Sequence, residues 1–587
     1  MDVHIVGGDP VAEAVGTALA DVDIETVEAD PADVADARFA VVADVVGAST
    51  FADANAAALD GGTPWVAVEI GGMGSHPLTD VDASVSGFSP STGCFHCLRM
   101  RVESNLSDGD RADRPAGGRS AARFAGAVAG YECARTFAGE DGLFGHVVEL
   151  GESRVYARRR FLPVPNCDCE SESRDRTVGR DDESVDLETA VASAESVIDE
   201  RVGLVSTLGE AESFPAPYYL SSAADTTGFS DARTPPQAAG VDEDWNAAMM
   251  KAVGETLERY CGATYRRGDF VRAPFDDLES ALSPDDLVRP EDAPAFDPDA
   301  EYLWVPGENL ETGEETHLPA AAVQFPQPGE KLLPSITTGL GLGSSTVDAL
   351  VSGLSEVIER DATMLSWYST FEPLGLTVED EVFDRLTRRA AGEGLTVTPL
   401  LVTQDVDVPV VSVALHRDDE AADAAADDGW PRFAIGSAAS LDAVGAARAA
   451  LCEALQNWME LRALGPEGAA DASGEIGAYA AFPEDAQAFI ATDGTVDAAS
   501  VGPDPVPDGL ERLESLVSRA TDAGLTPYAA RLTTRDVDTL GFEGVRVVVP
   551  EAQPLFTGEA FFGERARTVP EELGFESRLE KAYHPYP

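Results

Sequence analysis

Two apolar stretches of this chain carry the same pattern, E-x-x-E-R, 101 residues apart: Glu255-Thr-Leu-Glu258-Arg259 and Glu356-Val-Ile-Glu359-Arg360. At helical pitch, positions i, i+3 and i+4 share a face, so each copy offers two carboxylates and a guanidinium on one side. The flanking Ala252, Val253, Leu257 and Tyr260, and Leu354, Val357, Ile358 and Ala362, mark both stretches as buried helices. A single copy reads as an ordinary salt-bridged helix face. Two copies embedded in apolar helices constrain the fold much further. Four carboxylates converging in a core are prohibitive unless a cation neutralises them. Mg2+, a hard cation that takes oxygen ligands and shares them with phosphate, suits this set. The arginines suit bidentate phosphate binding.

The second copy follows Gly339-Leu-Gly341-Leu-Gly343-Ser344-Ser345. This reads as a glycine-rich turn that lets backbone N–H groups approach phosphate at a helix N-terminus. Around the two motifs, periodicity predicts helices over 246–262, 345–370 and 441–463 and strands over 409–416, 432–437 and 545–549. Segments 417–429 and 464–508, rich in Asp, Ala, Gly and Pro, read as inserted solvated loops. Residues 187–587 are therefore expected to form one large α+β region.

The N-terminal part differs. Short apolar strands at Val3–Val6, Ile24–Val27, Phe39–Val46 and Pro64–Ile70 alternate with helical patterns, which predicts a parallel, Rossmann-like sheet. Gly7-Gly8-Asp9 opens like a dinucleotide fingerprint, but Asp9 and Ala12 stand where the second and third glycines are needed. A scaffold without nucleotide is expected. An Ala-rich helix at 118–137 and strands near 144–150 and 153–163 follow. The charged stretch 170–186 reads as a linker. The expected organisation is an α/β domain over 1–169, the linker, and the α+β domain over 187–587.

Cys94-Phe-His-Cys97 and Cys167-Asp-Cys169 flank this helix and these strands. Four thiolates close a tetrahedral Zn2+ site of the structural kind, with His96 as an alternative to one sulfur. Cys133, Cys261 and Cys452 sit in apolar helical patterns and read as core thiols. An odd total of seven cysteines argues against a disulfide framework.

Hydrophobic residues make up 44% of 587, enough for two or three cores. Acidic residues number 105 against 41 basic ones, giving −64, and only Lys251, Lys331 and Lys581 are lysines. Such a surface repels nucleic acid and anionic membranes. Because the acidity is spread along the whole chain, it suits a halophilic cytoplasm, where salt screens self-repulsion. No signal peptide or membrane-spanning run is evident, so a cytoplasmic location is expected.

Several segments together resemble the YcaO family, in particular its azoline-forming cyclodehydratases. They are Val253–Tyr260, Gly339–Asp348, Gly353–Ala362, Arg432-Phe-Ala-Ile-Gly436, Arg448-Ala-Ala-Leu-Cys-Glu453-Ala-Leu-Gln456, and Asp536-Val537 through Val545–Pro550, in family order over about 187–587. The resemblance implies that Glu255, Glu258, Glu356 and Glu359 bind Mg2+ and ATP, with Arg259, Arg360 and Arg448 toward phosphate. Ser344 and Asp348 stand where relatives usually have Asn and Glu. It also implies an E1-like N-terminal domain with a zinc tetrathiolate, a scaffold for substrate that here appears without the winged-helix peptide clamp of many fused relatives.

The chain closes on Ala582-Tyr583-His584-Pro585-Tyr586-Pro587. Alternating prolines favour an extended conformation, and a frayed end is the plain reading. By the resemblance, such a tail enters the active site and the α-carboxylate of Pro587 serves as base. Its scarce apolar bulk predicts that its removal costs little stability. The implied reaction is ATP-dependent O-phosphorylation of a backbone amide in a peptide or protein substrate, giving an azoline. A partner protein for substrate recognition and a homodimer are the implied assemblies. The rival readings are thioamide formation with sulfide, a non-catalytic scaffold that binds a precursor peptide, and an active adenylating E1-like enzyme, the last disfavoured by Asp9 and Ala12.

Overall fold

The structure, a computed structural model, describes residues 2–107, 109–140, 142–151, 156–169, 174–329, 331–417, 429–470 and 476–587. Most of the segment 417–429, expected as a loop, lies outside the described residues.

Among these, the N-terminal part is a seven-stranded sheet in the order Glu25–Glu28, Asp2–Val6, Ala40–Val45, Trp65–Ile70, Ala83–Phe88, His146–Leu150, Ala157–Arg160. The first four strands are parallel, as the alternating pattern predicts, and the last three add antiparallel. Helices Val11–Ala20 and Arg119–Phe137 cover one face through Val11, Val15, Ala125 and Ala129. Ser49–Gly61 and Phe95–Asn105 cover the other through Phe51, Ala54, Phe95 and Leu98. The chain is thus a Rossmann-like α/β layer followed by a larger α+β region.

That larger region holds a three-stranded antiparallel sheet (Val205–Glu212, Tyr218–Ala223, Gln237–Val241) that sequence periodicity does not announce. A six-stranded sheet contains Tyr302–Asn309, Tyr528–Arg531, Glu543–Val548 and Leu340–Gly343. A five-stranded sheet contains Phe433–Ala439, Val410–His416 and Thr396–Leu401. Three long helices lie against these sheets: Trp245–Ala263, Thr346–Trp367 and Ala443–Ala469. Asp244, Ser345 and Asp442 cap them, each side chain accepting from first-turn amides. The third helix bends at Gly465-Pro466, where Gly465 has φ +68°.

Two expectations change here. The glycine-rich stretch is a strand, Leu340–Gly343, paired antiparallel with Glu543–Val548. A Cβ on Gly341 would come within 2.2 Å of the Ala349 carbonyl oxygen, so this glycine admits the chain's own helix. The N-terminal amides of that helix are also taken: the Val347 amide donates to the Asp181 carbonyl at 3.0 Å and the Asp348 amide to Ser345 Oγ at 3.1 Å. The stretch 464–508 likewise carries the end of the third helix, the helices Ile476–Tyr479 and Glu484–Ile490 and the strand Thr495–Asp497. Residues 471–475 are outside the described set.

Of the expected linker, residues 170–173 lie outside the described residues. Residues 174–186 are non-helical chain packed on the larger region: Arg174 Nε donates to the Thr533 carbonyl at 2.9 Å and the Val185 amide to Ser344 Oγ at 3.1 Å. One buried cluster joins Cys94, Cys97 and Met100 to Val253, Leu257 and Tyr260, so the two parts share a core. Among the described residues no helix is long and apolar enough to cross a membrane.

Candidate active site and metal centre

The helices Trp245–Ala263, Thr346–Trp367 and Ala443–Ala469 bury their apolar faces and leave glutamates toward one another. Glu255 accepts from the Ala239 amide at 2.8 Å and pairs with Arg259 at 2.5 Å. Glu356 accepts from the Gly339 amide at 2.9 Å. Glu359 accepts from Ser437 Oγ at 2.7 Å, and Glu453 from the Ser437 amide at 2.7 Å. Arg360 lies between them, 3.6 Å from Glu359, 3.7 Å from Glu453 and 3.9 Å from Glu356.

The electrostatics follow from this crowding. Burial, then the charges of Glu356 and Glu255, push the Glu258 carboxyl up to about 8. Burial and the neighbouring Glu453 push Glu359 up to about 8, against the pull of Arg360. Burial also raises Glu453. Burial brings Arg546 down to about 10, with Glu356 and Glu258 opposing the fall. Burial works against the Arg360 charge too, but Glu359, Glu453 and Glu356 outweigh it and hold the guanidinium firmly protonated. A set of acids that resists ionisation alone is what a divalent cation would relieve. The donor chemistry therefore fits Mg2+.

Beside the cluster opens a cleft of about 640 Å3 lined by Glu255, Glu258, Glu453, Gln456, Gly343, Ser344 and Lys251, with Leu187, Met250, Leu342 and Phe542 as its apolar wall. A cleft of this size with convergent polar groups suits a small ligand. Ser344 Oγ donates to Asp348 at 3.1 Å, so these two brace each other at its edge. Arg448 is not brought into the cluster: Asp380 holds its guanidinium, Nε at 2.7 Å. The carboxylates also do not converge on a single point. Among the described residues, the one group of three or more His, Cys, Asp or Glu side chains close enough for one ion is the cysteine set.

Sequence reasoning assigned no role to Glu453, Lys251 and Arg546. The signal for Glu453 is present: Glu453-x-x-Gln456 repeats the i, i+3 spacing of the two glutamate motifs, with Gln in place of the second Glu. Lys251 precedes Glu255 by one turn of the same helix and pairs with Asp242 at 2.7 Å. Arg546 has no such local signal. It reaches the site from strand Glu543–Val548 and donates to the Thr337 and Ile336 carbonyls at 2.8 and 3.0 Å.

The sulfurs of Cys94, Cys97, Cys167 and Cys169 all lie within 4.8 Å of one another, with 94–97, 94–167 and 97–169 separations of 3.9, 3.8 and 3.5 Å. Tetrahedral Zn–S bonds of ~2.3 Å place sulfurs roughly 3.8 Å apart. The Val164 amide and Arg535 Nη1 point at Cys97 and Cys169 Sγ from 3.3 and 3.4 Å, donors suited to thiolates. The set fits zinc. His96 is exposed beside four sufficient sulfurs, so it does not replace one.

The terminal segment is packed, contrary to the expectation of a frayed, weakly held end. His584 and Tyr586 are each 1% exposed. Trp367 Nε1 donates to the Ala582 carbonyl at 2.9 Å, His584 Nε2 lies 2.7 Å from the Phe556 carbonyl, and the Tyr586 hydroxyl is 3.0 Å from Ser412 Oγ. Tyr586 lies near enough to Glu359, Glu453 and Arg360 for their charges to act on its hydroxyl. Pro587, half-buried, follows it directly.

Known structures share this architecture. A heterocyclase in complex with substrate and cofactor is 19% identical with a TM-score of 0.76, covering 100% of this chain and 85% of that one. The heterocyclase TruD is 18% identical with a TM-score of 0.67, covering 98% and 81%. Both likenesses span the N-terminal sheet as well as the larger region. An uncharacterized protein of Methanothermobacter thermautotrophicus (strain Delta H) is 33% identical over 184 residues, which are 29% of this chain and 45% of that protein. The chain therefore matches somewhat under half the length of that relative. The family model described as YcaO cyclodehydratase, ATP- and Mg2+-binding, matches residues 239–553, more than half of the sequence and a span that includes both E-x-x-E-R helices, Glu453 and Arg546. On that match, the chain belongs to the YcaO family.

Proposed function

We propose that this protein is an ATP-dependent cyclodehydratase that activates a backbone amide of a peptide or protein substrate. The observation that carries the reading is the set of glutamates that three helices bring together: Glu255 and Glu258, near Glu356, and Glu356, Glu359 and Glu453 around Arg360; burial and mutual repulsion raise Glu258, Glu359 and Glu453. Those carboxylates, with Ser344 and Asp348 at the cleft edge, would hold Mg2+ and nucleotide. Bound there, Mg2+ would offset charge on the transferring phosphoryl group. Arg259, Arg360 and Arg546 supply positive charge toward phosphate. The bond of Arg448 to Asp380 gives it at most an indirect part.

In the proposed chemistry, a Cys, Ser or Thr side chain of the substrate loses its proton and attacks the preceding amide carbon. The amide oxygen takes the γ-phosphoryl group of ATP and ADP departs. The carbon–oxygen bond then breaks, phosphate leaves, and loss of the amide proton forms the C=N bond of an azoline. Two protons must be accepted. The α-carboxylate that Pro587 carries in this sequence, behind the buried Tyr586, is the proposed base. The tetrathiolate is proposed to hold a structural zinc. A partner protein that delivers substrate, a homodimeric assembly and adaptation to a salty cytoplasm complete the proposal.

The test is incubation of the protein with Cys/Ser/Thr-rich peptides, ATP and Mg2+, followed by mass spectrometry. The expected product has lost one water per ring, with ADP and phosphate released in step. Sulfide-dependent exchange of oxygen for sulfur would establish the thioamide reading instead. Absence of ATP turnover with every peptide would support the scaffold.

A further inference from the structure

The carboxylate cleft and the tetrathiolate are joined by two consecutive residues of the short helix Arg535–Asp538. Arg535 Nη1 points at Cys169 Sγ from 3.4 Å. Asp536 is fully buried. Its carboxylate pairs with the fully buried Arg101 and accepts from the Tyr260 hydroxyl at 2.6 Å. Tyr260 follows Arg259 on the helix that carries Glu255 and Glu258. Arg101 belongs to the helix that begins after Cys94, one turn beyond Cys97, and donates to the Leu162 and Pro163 carbonyls at 3.3 and 2.8 Å. Residues 162–169 are the strap that brings Cys167 and Cys169 to the site. Each end of the Arg101–Asp536 pair is therefore anchored beside the sulfurs, and its middle holds the back of the first glutamate helix.

We propose that Asp536, with Arg101 and Tyr260, is a positioning group that couples metal occupancy of the tetrathiolate to nucleotide affinity in the carboxylate cleft. This rests on the reading of both sites given above. With the metal bound, four thiolates carry net negative charge that Arg535 faces, and residues 94–97 and 167–169 are fixed in place. With the metal gone, the cysteines take up protons and no bond ties residues 94–97 to residues 167–169. Their segments separate, and Arg101 moves with its helix. The buried carboxylate of Asp536 then loses its partner, and Tyr260 no longer fixes the rotation of the helix bearing Glu255 and Glu258. A small displacement there is amplified because packed cores shift between discrete arrangements. Linkage makes the effect reciprocal: whatever factor zinc adds to nucleotide affinity, nucleotide adds to zinc affinity.

The experiment uses the full chain and Mg–ADP, which does not turn over. Affinity is measured by calorimetry on the zinc-loaded protein and after removal of zinc with a selective chelator, with Mg2+ resupplied and folding checked by circular dichroism. Zinc affinity is then measured by competition with a chromophoric chelator, with and without Mg–ADP. In the parent protein, zinc removal is expected to weaken Mg–ADP about 10-fold, and Mg–ADP to tighten zinc by the same factor, within the usual range of such couplings. In Asp536→Asn the factor should fall to about 2-fold or less while all four cysteines still bind zinc. Tyr260→Phe, which removes only the hydroxyl, gives the same answer if the Asn variant fails to fold. Arg101→Lys, which keeps the charge, should retain part of the coupling. Equal Mg–ADP affinity with and without zinc would overturn the proposal, as would an undiminished factor in both Asp536→Asn and Tyr260→Phe. A chain that never carries zinc overturns it together with the metal reading, and a zinc-loaded chain that does not bind Mg–ADP overturns it together with the cleft reading.

Discussion

Ser412 and Ser437 face each other across one rung of the antiparallel pair Val410–His416 and Phe433–Ala439. Ser412 receives the terminal segment through the Tyr586 hydroxyl, and Ser437 holds Glu359 through its hydroxyl and Glu453 through its amide. Directly opposed residues point to the same face of a sheet, so tail and carboxylates meet on one platform. Ser437→Ala should remove the Glu359 bond and leave the Glu453 bond. We expect Mg–nucleotide affinity to fall several-fold at a stability cost of about 1–2 kcal/mol, checked by calorimetry and thermal melting.

On the proposed reading, the raised carboxyls should make nucleotide binding pH-dependent. Glu258 and Glu359 each move from an ordinary 4.5 up to about 8 in the folded chain. A raised acid contributes stability below its unfolded value and loses that contribution as pH rises through the folded one. The ligand-free protein should therefore lose stability between about pH 4.5 and 8 through these groups. On the proposed binding role, Mg–ATP takes these groups ionised, so it should bind more tightly as pH rises toward 8 and release protons when it binds at pH 7. Calorimetry in buffers of different ionisation enthalpy reads the proton count. Glu258→Gln and Glu359→Gln should each lower it.

The buried tail predicts two separable losses. Tyr586→Ala should cost about 3–5 kcal/mol, as for other buried aromatics, seen as a lower melting temperature. One glycine added after Pro587 keeps every side chain but moves the carboxylate by roughly 3–4 Å. That variant should melt like the parent, bind Mg–ATP normally and lose turnover on a peptide substrate. Parent-like turnover would remove Pro587 from the mechanism.

Elemental analysis should find about one zinc per chain, and Cys94→Ser should abolish it. The variant should also be destabilised, because binding free energy at a structural site is folding free energy. A metal-free parent that is fully folded would refute the site.

Salt dependence tests the reading of the surface. With a net charge of −64, the chain should melt at lower temperature as KCl is withdrawn, since the Debye length grows from about 3 Å at 1 M to about 10 Å at 0.1 M. A melting temperature indifferent to KCl would contradict halophilic adaptation.

What the sequence discloses is what neighbouring residues decide. Glu255 and Glu258, or Glu356 and Glu359, lie one helical turn apart, and Cys94 and Cys97 likewise, so spacing exposes them. Arg448 looks equally promising in a helix, but Asp380, 68 residues earlier, claims its guanidinium. The tail looks loose because its holders, Trp367, Ser412 and Phe556, are distant in sequence. The glycines of 339–343 read as a turn because their absent side chains do not disclose what occupies the space. Arg546 and Ser437 are ordinary strand residues until the sheets assemble.

That occupied space has a bearing on how this site can change over time. At Gly341 the strand meets the Ala349 carbonyl, and at Gly353 the helix meets the Gly339 carbonyl; a Cβ at either would lie 2.2 or 2.7 Å from that oxygen. The Gly339 amide in turn binds Glu356. The distance from sheet to second glutamate helix is thus a backbone dimension, with no side chain interposed. Exchanges of volume elsewhere on that helix, at Leu350, Leu354 or Ile358, alter packing without resetting this spacing. The glycines act as a fixed gauge that lets the core drift over generations while the carboxylates keep their register, and a single added methyl at Gly341 would harm the site more than larger changes within the core.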